Sequence, residues 1–219
     1  MYKKILKELD MVIVIPSRGR SDIIITHKIM PYATLVVPEP EYDSYRKKVG
    51  NDMTIICLPD SVRGLGATRN WVLDNFTEKV VFMIDDDTKY LLNRTKEKEL
   101  RITYPDDIFD VVVNTTIMAL DLGVGLYGYG YTGDIRKFSP IKPFRFNKAV
   151  GGSIGIIGRE LRFNTARAKT DVDFCLKQLL KNRIFWVDDR YAFQQEVDSI
   201  SGGSSLYRSR EETRADVAE

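Results

Sequence analysis

Three consecutive aspartates, Asp85, Asp86 and Asp87, follow directly after the apolar run 80–84. A short apolar run rich in β-branched residues predicts a buried strand, so the three carboxylates would lie together where that strand ends. Close carboxylates resist joint ionisation unless a cation neutralises them, and clustered oxygens suit Mg²⁺ or Mn²⁺ shared with the phosphates of a substrate. The residues therefore predict a metal-diphosphate site. The alternative is a turn in which one aspartate caps the next element.

Arginines supply the complementary charge. Arg18, Arg20, Arg63 and Arg69 fall in or near segments that follow predicted strands, and a guanidinium group can bind phosphate through two parallel hydrogen bonds. Each arginine is equally compatible with simple solvation. The chain has a single histidine, His27, which we expect to be structural. Serine–histidine and cysteine–histidine catalysis is therefore excluded unless His27 takes part, and any chemistry would depend on carboxylates, arginines and metal.

The elements that must position these residues alternate between strand and helix. Short apolar runs predict strands over 11–16, 34–38, 54–59 and 79–84. Helical spacing of apolar residues predicts helices over 39–50 and 66–76. This order is typical of an α/β fold with a mostly parallel central sheet flanked by helices. Ligands of such sheets bind beyond the carboxyl ends of the strands, which is where the aspartates are expected to lie.

The second half of the chain has a looser pattern. We predict a helix over 107–123 closed by Gly123, a glycine-rich loop, strand and turn within 150–164, a helix over 170–182 with Thr170 as its N-cap, and one late strand within 183–195. The aromatic and glycine-rich run 126–133 fits either a stacking platform for a base or sugar, or a tight aromatic turn. Without repeats or a clear linker, residues 1–219 are expected to form one domain.

Composition narrows the class of protein. The 219 residues include 33 basic and 31 acidic side chains, giving a net charge of +2. This excludes a protein that holds nucleic acid by overall charge alone, although a local basic groove remains possible. Two cysteines in unrelated contexts argue against zinc and fit a reducing compartment. The sequence shows neither a secretory leader nor an apolar run of the ~20 residues that span a bilayer, so we expect a cytoplasmic protein without membrane association.

One segment, 136–148, interleaves basic and aromatic side chains. Its members are Arg136, Lys137, Phe138, Lys142, Phe144, Arg145, Phe146 and Lys148. Basic residues next to aromatic ones suit phosphate contact and base stacking. The alternative is a solvated loop with its phenylalanines packed inward.

The segment 63–88, "RGLGATRNWVLDNFTEKVVFMIDDDT", resembles the central part of the GT-A fold glycosyltransferases. The first strand and loop, 12–20, are similar to the nucleotide-binding start of that family, and 151–153 and 170–182 resemble its acceptor-side loop and helix. The phrases "IPSRGR", "VPEPEYDSY", "GLGATRNW" and "MIDDDT" look most like the TET/JBP-associated branch, found largely in phages. That branch is implicated in adding sugars to hydroxymethylated pyrimidines in DNA, which would require the target base to be flipped out of the stack.

The resemblance implies a role for each matching residue of the donor side. Asp87 would hold Mn²⁺ or Mg²⁺ against the diphosphate of a UDP-sugar, and Asp85 would contact ribose, sugar or metal. The other residues implied to bind the donor are Pro16, Ser17, Arg18, Arg20, Arg63, Arg69, Asn70 and Asp86. Residues 11–90 would form the nucleotide-sugar-binding half.

The resemblance also implies an acceptor-binding half over 107–200, followed by a polar tail over 201–219. Asp171 matches the catalytic carboxylate of the inverting members, with Asp173 as its unseparated neighbour, and Gly151, Gly152 and Ser153 match the acceptor loop. Two departures stand out. Thr170 replaces a glutamate, and no histidine follows His27, so Asp198 or water would complete the metal shell.

Three other functions are compatible with the sequence. A GT-A enzyme acting on a protein, lipid or glycan hydroxyl would share the same donor site. A nucleotidyltransferase is less favoured, because "PSRGR" offers one glycine and no lysine for a phosphate loop. A non-catalytic nucleotide-sugar-binding module would fit the two departures, although the intact run of three aspartates argues against it. For the phage branch, the expected location is the cytoplasm of the bacterial host.

Overall fold

The computed structural model describes residues 1–95, 100–130, 138–165 and 169–195. Its helices are α1 Tyr2–Glu8, α2 Tyr42–Val49, α3 Leu65–Asn75, α4 Pro105–Asp121 and α5 Thr170–Asn182, with 3-10 turns at Thr26–Lys28 and Glu39–Glu41. Its strands are β1 Met11–Pro16, β2 Thr34–Pro38, β3 Thr54–Leu58, β4 Val80–Ile84, β5 Thr88–Asn93, β6 Leu100–Ile102, β7 Leu126–Tyr129, β8 Phe144–Arg145, β9 Ser153–Ile157, β10 Trp186–Asp188 and β11 Tyr191–Gln195. No helix in these ranges is long and apolar enough to cross a membrane.

A central sheet organises the molecule. Within the described residues it has eight strands in the order β3-β2-β1-β4-β9-β7-β10-β8, and a second sheet has the order β11-β5-β6. The strands β1 to β4 pair in parallel, β9 runs antiparallel between β4 and β7, and β10 pairs in parallel with β7. Strands β1, β2, β3, β4, β7 and β10 therefore end at the same edge. Everything that follows those strands is brought to one side of the protein.

The two faces of the sheet are both covered, which explains the continuous apolar runs of its central strands. All residues of β1 and β4 are buried. Because side chains alternate along a strand, Ile13 and Phe82 pack on the side of α4, whereas Val12 and Val81 pack on the side of α3 and α5. Burial of such side chains contributes roughly 1.5–3 kcal/mol each to stability. This packing fixes β4, and hence the aspartates that follow it.

The sequence predictions for the first half are confirmed. The strands predicted over 11–16 and 34–38 have those bounds, and β3 and the helix α3 differ from their predicted ranges by one residue at an end. The prediction of one late strand within 183–195 is wrong, because β10 belongs to the central sheet and β11 to the second sheet. Asp189 and Arg190 form the turn between them.

The aromatic run 126–133 is neither a platform nor a turn over its first four residues, which form the buried strand β7. Residues 131–133 lie outside the described residues. Thr170 is not an N-cap either. It is the first residue of α5 and is buried, while Lys169 precedes the helix in a left-handed conformation and no side chain caps the helix. The Thr170 methyl group packs towards Gly66 of α3.

Candidate functional site

A cleft of about 210 Å³ opens at the carboxyl edge of the sheet. Its lining residues are Pro16, Ser17, Arg18, Arg20, Leu58, Gly64, Leu65, Thr68, Asp85, Asp86, Asp87 and Gln195. The ends of β1, β3, β4 and β11 and the start of α3 thus surround one cavity. All three aspartates reach it, as expected for ligand sites of open α/β sheets.

Asp86 is tied to the loop that follows β1. It is only 4% exposed. The hydroxyl of Ser17 donates to its Oδ2, and Arg20 Nη1 lies 2.7 Å from its Oδ1. Since the Ser17 proton goes to Asp86, the Tyr45 hydroxyl donates to Ser17 Oγ over 2.6 Å. Both carboxylate oxygens of Asp86 are therefore engaged within the protein.

Asp85 is held by partners from four other parts of the chain. Its Oδ2 accepts a hydrogen bond of 2.7 Å from Gln195 Nε2, and its Oδ1 lies 3.4 Å from Arg69 Nη2. Its backbone N–H donates to Gly152 O over 2.7 Å, and its carbonyl accepts from the Thr26 hydroxyl over 2.7 Å. Burial raises the pKa of the Asp85 carboxyl to about 6; Arg69 acts in the opposite direction, and the neighbouring carboxylates add to the rise.

Asp87 differs from its neighbours because one of its oxygens has no hydrogen-bond partner in the described part of the chain. Oδ2 lies 3.2 Å from Arg20 Nη1, whereas Oδ1 is buried and has no hydrogen-bond partner among the described residues. Burial raises the pKa of the Asp87 carboxyl, and the charge of Asp86 raises it further. A buried acceptor without a donor is unfavourable, and a cation would relieve both the lost hydrogen bond and the repulsion.

These residues fit a divalent metal in a particular way. In the described part of the chain no three histidine, cysteine, aspartate or glutamate side chains converge as a metal-binding group. Mg²⁺ commonly uses only one or two carboxylates, with phosphates and water completing its shell. Asp87 Oδ1 and the neighbouring Asp85 meet that requirement. Asp198, expected from the sequence as a further ligand, lies outside the described residues.

The predicted arginines divide between the cleft and the surface. Arg18 lines the cleft and is fixed by Asp60 at 2.8 Å and by the Val62 carbonyl at 2.8 Å. Arg63 shares Asp60 at 3.0 Å, but its side chain is 60% exposed and it does not contribute to the cleft lining. Two arginines, Arg18 and Arg20, therefore reach the cavity itself.

Arg69 and Asn70 support the cleft from below. Arg69 is buried, and its guanidinium lies 5.3 Å from the centre of the Phe163 ring. The amide of Asn70 donates to the Phe163 carbonyl over 3.0 Å and accepts from the Phe163 N–H over 2.8 Å. Asn70 thus binds the chain at 163 rather than facing the cleft. Gly66 permits this approach, because a Cβ there would stand 2.2 Å from Asn164 O.

The loop Gly151, Gly152 and Ser153 lies directly against Asp85. Ser153 begins β9 and pairs with Ile84 at the end of β4. Gly152 has φ +41°, and a Cβ at this position would stand 2.5 Å from Gln195 Nε2. The positive φ therefore favours glycine here, and a side chain at this position would force the Gln195 amide to move.

Asp171 and Asp173 both lie in the first turn of α5 and are partly buried. Asp173 pairs with Lys177 at 2.7 Å, one helical turn along. Asp171 forms no such ion pair within the described ranges. Neither aspartate contributes to the lining of the cleft, although Thr170 beside them packs towards Gly66 at the start of α3. Of the two, Asp173 is the one that is paired with a cation from the described residues.

The basic and aromatic segment is only partly a solvated loop with its phenylalanines packed inward. Arg136 and Lys137 lie outside the described residues. Arg145 and Lys148 turn towards Asp189, a carboxylate 0% exposed, which Arg94 also contacts. Phe146 remains exposed, so its ring is not packed inward.

His27 lies in the 3-10 turn away from the cleft lining, and burial lowers its pKa.

Comparison with known proteins then decides the family. The sequence profile of the TET-associated glycosyltransferases matches residues 11–203. The chain belongs to this family. The match extends over the whole cleft, from β1 to Gln195, and confirms the resemblance inferred from the three aspartates and the segments around them.

Individual relatives of this TET-associated glycosyltransferase match over shorter stretches. It is 33% identical over 67 residues to the beta-glucosyl-HMC-alpha-glucosyl-transferases of Enterobacteria phages T6 and T2. That stretch is 31% of this chain and 24% of each relative. The chain thus spans about a quarter of the length of the curated relatives it matches.

Solved structures establish the fold of this TET-associated glycosyltransferase. Glucosyl-3-phosphoglycerate synthase from Mycobacterium tuberculosis, in complex with Mn²⁺, UDP-glucose and phosphoglyceric acid, superimposes with a TM-score of 0.57 at 12% identity, over 90% of this chain and 76% of that chain. A mannosyltransferase from Pyrobaculum calidifontis, in complex with GDP-mannose and Mn²⁺, gives 0.57 at 14% identity, over 82% and 54%. The predicted GT-A fold is confirmed.

Several site residues of this TET-associated glycosyltransferase were not predicted from its sequence. Gln195, Thr68 and Tyr45 each contact or support the cleft. Gln195 is 110 positions from Asp85, and no periodicity links residues so far apart. The sequence signal for Gln195 was the pair of glutamines that ends β11, because polar residues at the end of a strand can mark a ligand site.

Proposed function

We propose that this chain is a metal-dependent glycosyltransferase that moves a sugar from a nucleotide-diphospho-sugar, a UDP-sugar first, to the hydroxymethyl group of a modified pyrimidine in DNA. Family membership supports the transfer reaction. The acceptor is proposed from the phage relatives, whose names refer to HMC. Such an acceptor would be met in the cytoplasm of an infected bacterium.

One observation carries the donor half of this proposal. Asp87 has a buried oxygen without a protein partner among the described residues, and the guanidinium of Arg20 lies at the other oxygen of the same carboxylate. A nucleotide diphosphate with a divalent cation brings both complementary charges to this point. The cation suits Asp87, and the diphosphate suits Arg20 and Arg18.

Each donor residue then has a separable task. Asp87, with Asp85 beside it, would hold Mn²⁺ or Mg²⁺, which when bound stabilises the negative charge that develops on the departing diphosphate. Pro16 and Ser17 lie in the loop assigned to the base. Asp86 keeps that loop attached to the end of β4 through Ser17 and Arg20. The buried Arg69 offsets part of the charge of Asp85.

For the acceptor half we propose Asp171 as the general base. An acceptor hydroxyl is a poor nucleophile until a carboxylate within hydrogen-bond reach removes its proton. Asp173 is already paired with Lys177, which leaves Asp171 as the carboxylate of this turn that can accept a proton. Gly151, Gly152 and Ser153, packed against Asp85, are proposed to border the acceptor on the opposite side.

Intact-mass measurement of short DNA tests the proposal. Duplexes with cytosine, hydroxymethylcytosine or hydroxymethyluracil are incubated with the protein, Mn²⁺ and a panel of UDP-sugars. We expect a hexose- or pentose-sized gain on a hydroxymethylated strand only, and no gain with Asp87→Ala. No gain on any DNA, with metal-dependent donor hydrolysis intact, would remove DNA as the acceptor. If the unaltered chain shows neither sugar transfer nor donor hydrolysis, a non-catalytic binding module would be favoured.

A second acceptor class is favoured by one comparison. The Mycobacterium tuberculosis enzyme of the same fold was solved in complex with UDP-glucose and phosphoglyceric acid. Phosphoglyceric acid is a small hydroxyl-bearing acid. The mass assay therefore includes phosphoglyceric acid and a glycan as additional acceptors. A gain on one of these, without a gain on DNA, would place this chain among enzymes with non-nucleic-acid acceptors.

A further inference from the structure

Three basic side chains converge on one buried carboxylate beyond the donor cleft. Asp189 directly follows β10, and β10 ends at the same sheet edge as β4 and its aspartates. Lys148 Nζ lies 2.7 Å from Asp189 Oδ1 and 3.0 Å from Oδ2, and Arg145 Nε lies 3.4 Å from Oδ2. Arg94 Nη2 lies 3.0 Å from Oδ1.

Arg94 by itself supplies the positive charge and hydrogen bonds that the buried Asp189 carboxylate needs. Its side chain is fully buried and pairs with the carboxylate. It also donates from Nε and Nη2 to the Asp189 carbonyl over 3.0 and 2.7 Å. A buried carboxylate needs one well-hydrogen-bonded cation to remain charged. Arg145 and Lys148 are therefore additional to the structural requirement.

Arg145 and Lys148 also retain contact with solvent. Their side chains are 33% and 29% exposed, whereas Asp189 is inaccessible. Arg145 Nε is buried against Asp189 without a hydrogen-bond partner within the described residues, so this contact is a charge interaction only. The neighbouring Arg190 is different, because Asp188 accepts from its Nε and Nη2 over 2.9 and 2.8 Å.

We propose that Arg145 and Lys148 form a phosphate-binding subsite for the backbone of a nucleic-acid acceptor, with Asp189 as the residue that positions them. The subsite rests on the proposed function for the identity of the anion. Two adjacent, partly exposed cations with fixed positions suit a phosphodiester, and backbone contacts of this type orient DNA without reading its sequence. The subsite lies on the acceptor half of the chain, apart from the donor phosphates expected at Arg18 and Arg20.

The test compares DNA binding with donor binding in the full chain. A fluorescein-labelled duplex carrying hydroxymethylcytosine is titrated at several NaCl concentrations with the wild type, with Arg145→Gln/Lys148→Gln and with Lys3→Gln/Lys7→Gln on α1. Each lost phosphate contact lowers the slope of log K against log salt by about 0.9, so the first double variant should bind roughly tenfold more weakly with a slope smaller by about 2. The α1 variant, which loses the same charge, should match the wild type. Affinity for UDP with Mn²⁺, measured by calorimetry, should be equal in all three.

Each other outcome overturns the proposal in a distinguishable way. Equal DNA affinity and slope in the wild type and in Arg145→Gln/Lys148→Gln would remove the subsite while leaving the DNA acceptor in place. A loss of UDP affinity instead would assign the anion to the donor. Wild-type protein that hydrolyses donor but binds no DNA would overturn the subsite together with the DNA acceptor. Arg145→Lys/Lys148→Arg keeps both charges and should retain the wild-type slope, which separates charge from folding.

Discussion

At the scale of single residues, the three adjacent carboxylates face different partners, which offset only part of their mutual repulsion. Asp86 is neutralised by Arg20 and bonded to Ser17, and Asp85 is shared between Arg69 and Gln195. Asp87 alone keeps an oxygen without a donor among the described residues. One residue type thus has different surroundings in three successive positions, so the three positions should respond differently to the same substitution.

Asparagine substitutions at 86 and 87 should separate stability from activity. Asp86→Asn removes the charge opposite Arg20 and disturbs the Ser17 hydrogen bond, and breaking a buried pair of this kind costs about 3–5 kcal/mol. Asp87→Asn removes a carboxylate repelled by Asp86, so its free energy of unfolding should stay within about 1 kcal/mol of the wild type. Urea unfolding without divalent metal measures both.

The same substitution at position 87 should also weaken metal binding. Asp87→Asn should lose at least tenfold in affinity for Mn²⁺ in the presence of UDP, measured by electron paramagnetic resonance of free Mn²⁺, because one of two expected carboxylate ligands is removed. If Asp87→Asn destabilised the protein as much as Asp86→Asn while binding Mn²⁺ normally, the assignment of the two residues would be reversed.

Asp171 and Asp173 offer a matched pair for the general base. Asp171→Asn should lower kcat for sugar transfer by roughly 10²–10⁴-fold, the usual contribution of a positioned base, with UDP affinity unchanged. Asp173→Asn removes an ion pair with Lys177 of a type worth about 0.3–0.5 kcal/mol and should retain most activity. Equal losses in the two variants would contradict the choice of Asp171.

At the scale of elements, the glycine loop before β9 controls the position of Gln195. Gly152→Ala should displace Gln195 from Asp85, because the new Cβ would stand 2.5 Å from Gln195 Nε2 and 3.3 Å from Asp85 Oδ2. We expect a loss of about 1–2 kcal/mol in stability and a marked fall in kcat/KM. Unfolding and steady-state kinetics give the two numbers.

Gly123→Ala is the control for that substitution. Gly123 also has a positive φ, of +65°, but a Cβ at this position would meet no atom within 4 Å, so only the backbone cost of about 1 kcal/mol applies. Its kcat/KM should match the wild type. A similar kinetic loss in both alanine variants would mean that backbone strain, and not the position of Gln195, limits the reaction.

The elements also show what the sequence could predict. Continuous apolar runs identify β1, β2 and β4 because both faces of these strands are covered, so pattern and burial agree. The run 183–195 misleads because Trp186 and Phe193 are buried in different sheets and the intervening Asp188 and Asp189 are buried as well. Charged residues inside a structure carry no local signal of the partners, such as Arg94, that make their burial possible.

At the scale of the whole molecule, the reactivity of the two thiols measures how well the core under α5 excludes solvent. Cys175 is buried near Val150, and burial raises the pKa of its thiol to about 11. Cys57 is half-buried. With a thiol reagent at pH 8, Cys57 should react first and Cys175 only through opening of the core, whereas both react at once in denaturant. The variant Cys57→Ser assigns the slow phase, and equal native rates for the two thiols would contradict the packing of α5.

The same thiol gives stability a dependence on pH. The folded pKa of Cys175 lies above the ordinary value of 9.0. Its contribution to the free energy of unfolding is therefore complete below about pH 9 and falls as the pH rises towards 11, because the unfolded chain then releases the proton more readily. Cys175→Ala should remove this part of the alkaline dependence, as measured by urea unfolding between pH 8 and pH 10.5.

Strand β11 begins two residues after Asp189 and ends at Gln195, whose amide touches Asp85. At about 3.4 Å per residue, its five residues span roughly 14 Å. β11 pairs with β5 over Tyr191–Gln195, with an irregularity between Gln194 and Gln195, so the second sheet holds this span in place. The strand thus sets the distance between Asp85 in the cleft and the cations around Asp189. If a base of the acceptor lies in the cleft, these cations can bind only a phosphate at that distance from the base. The length of β11 would therefore determine how the DNA lies across the protein.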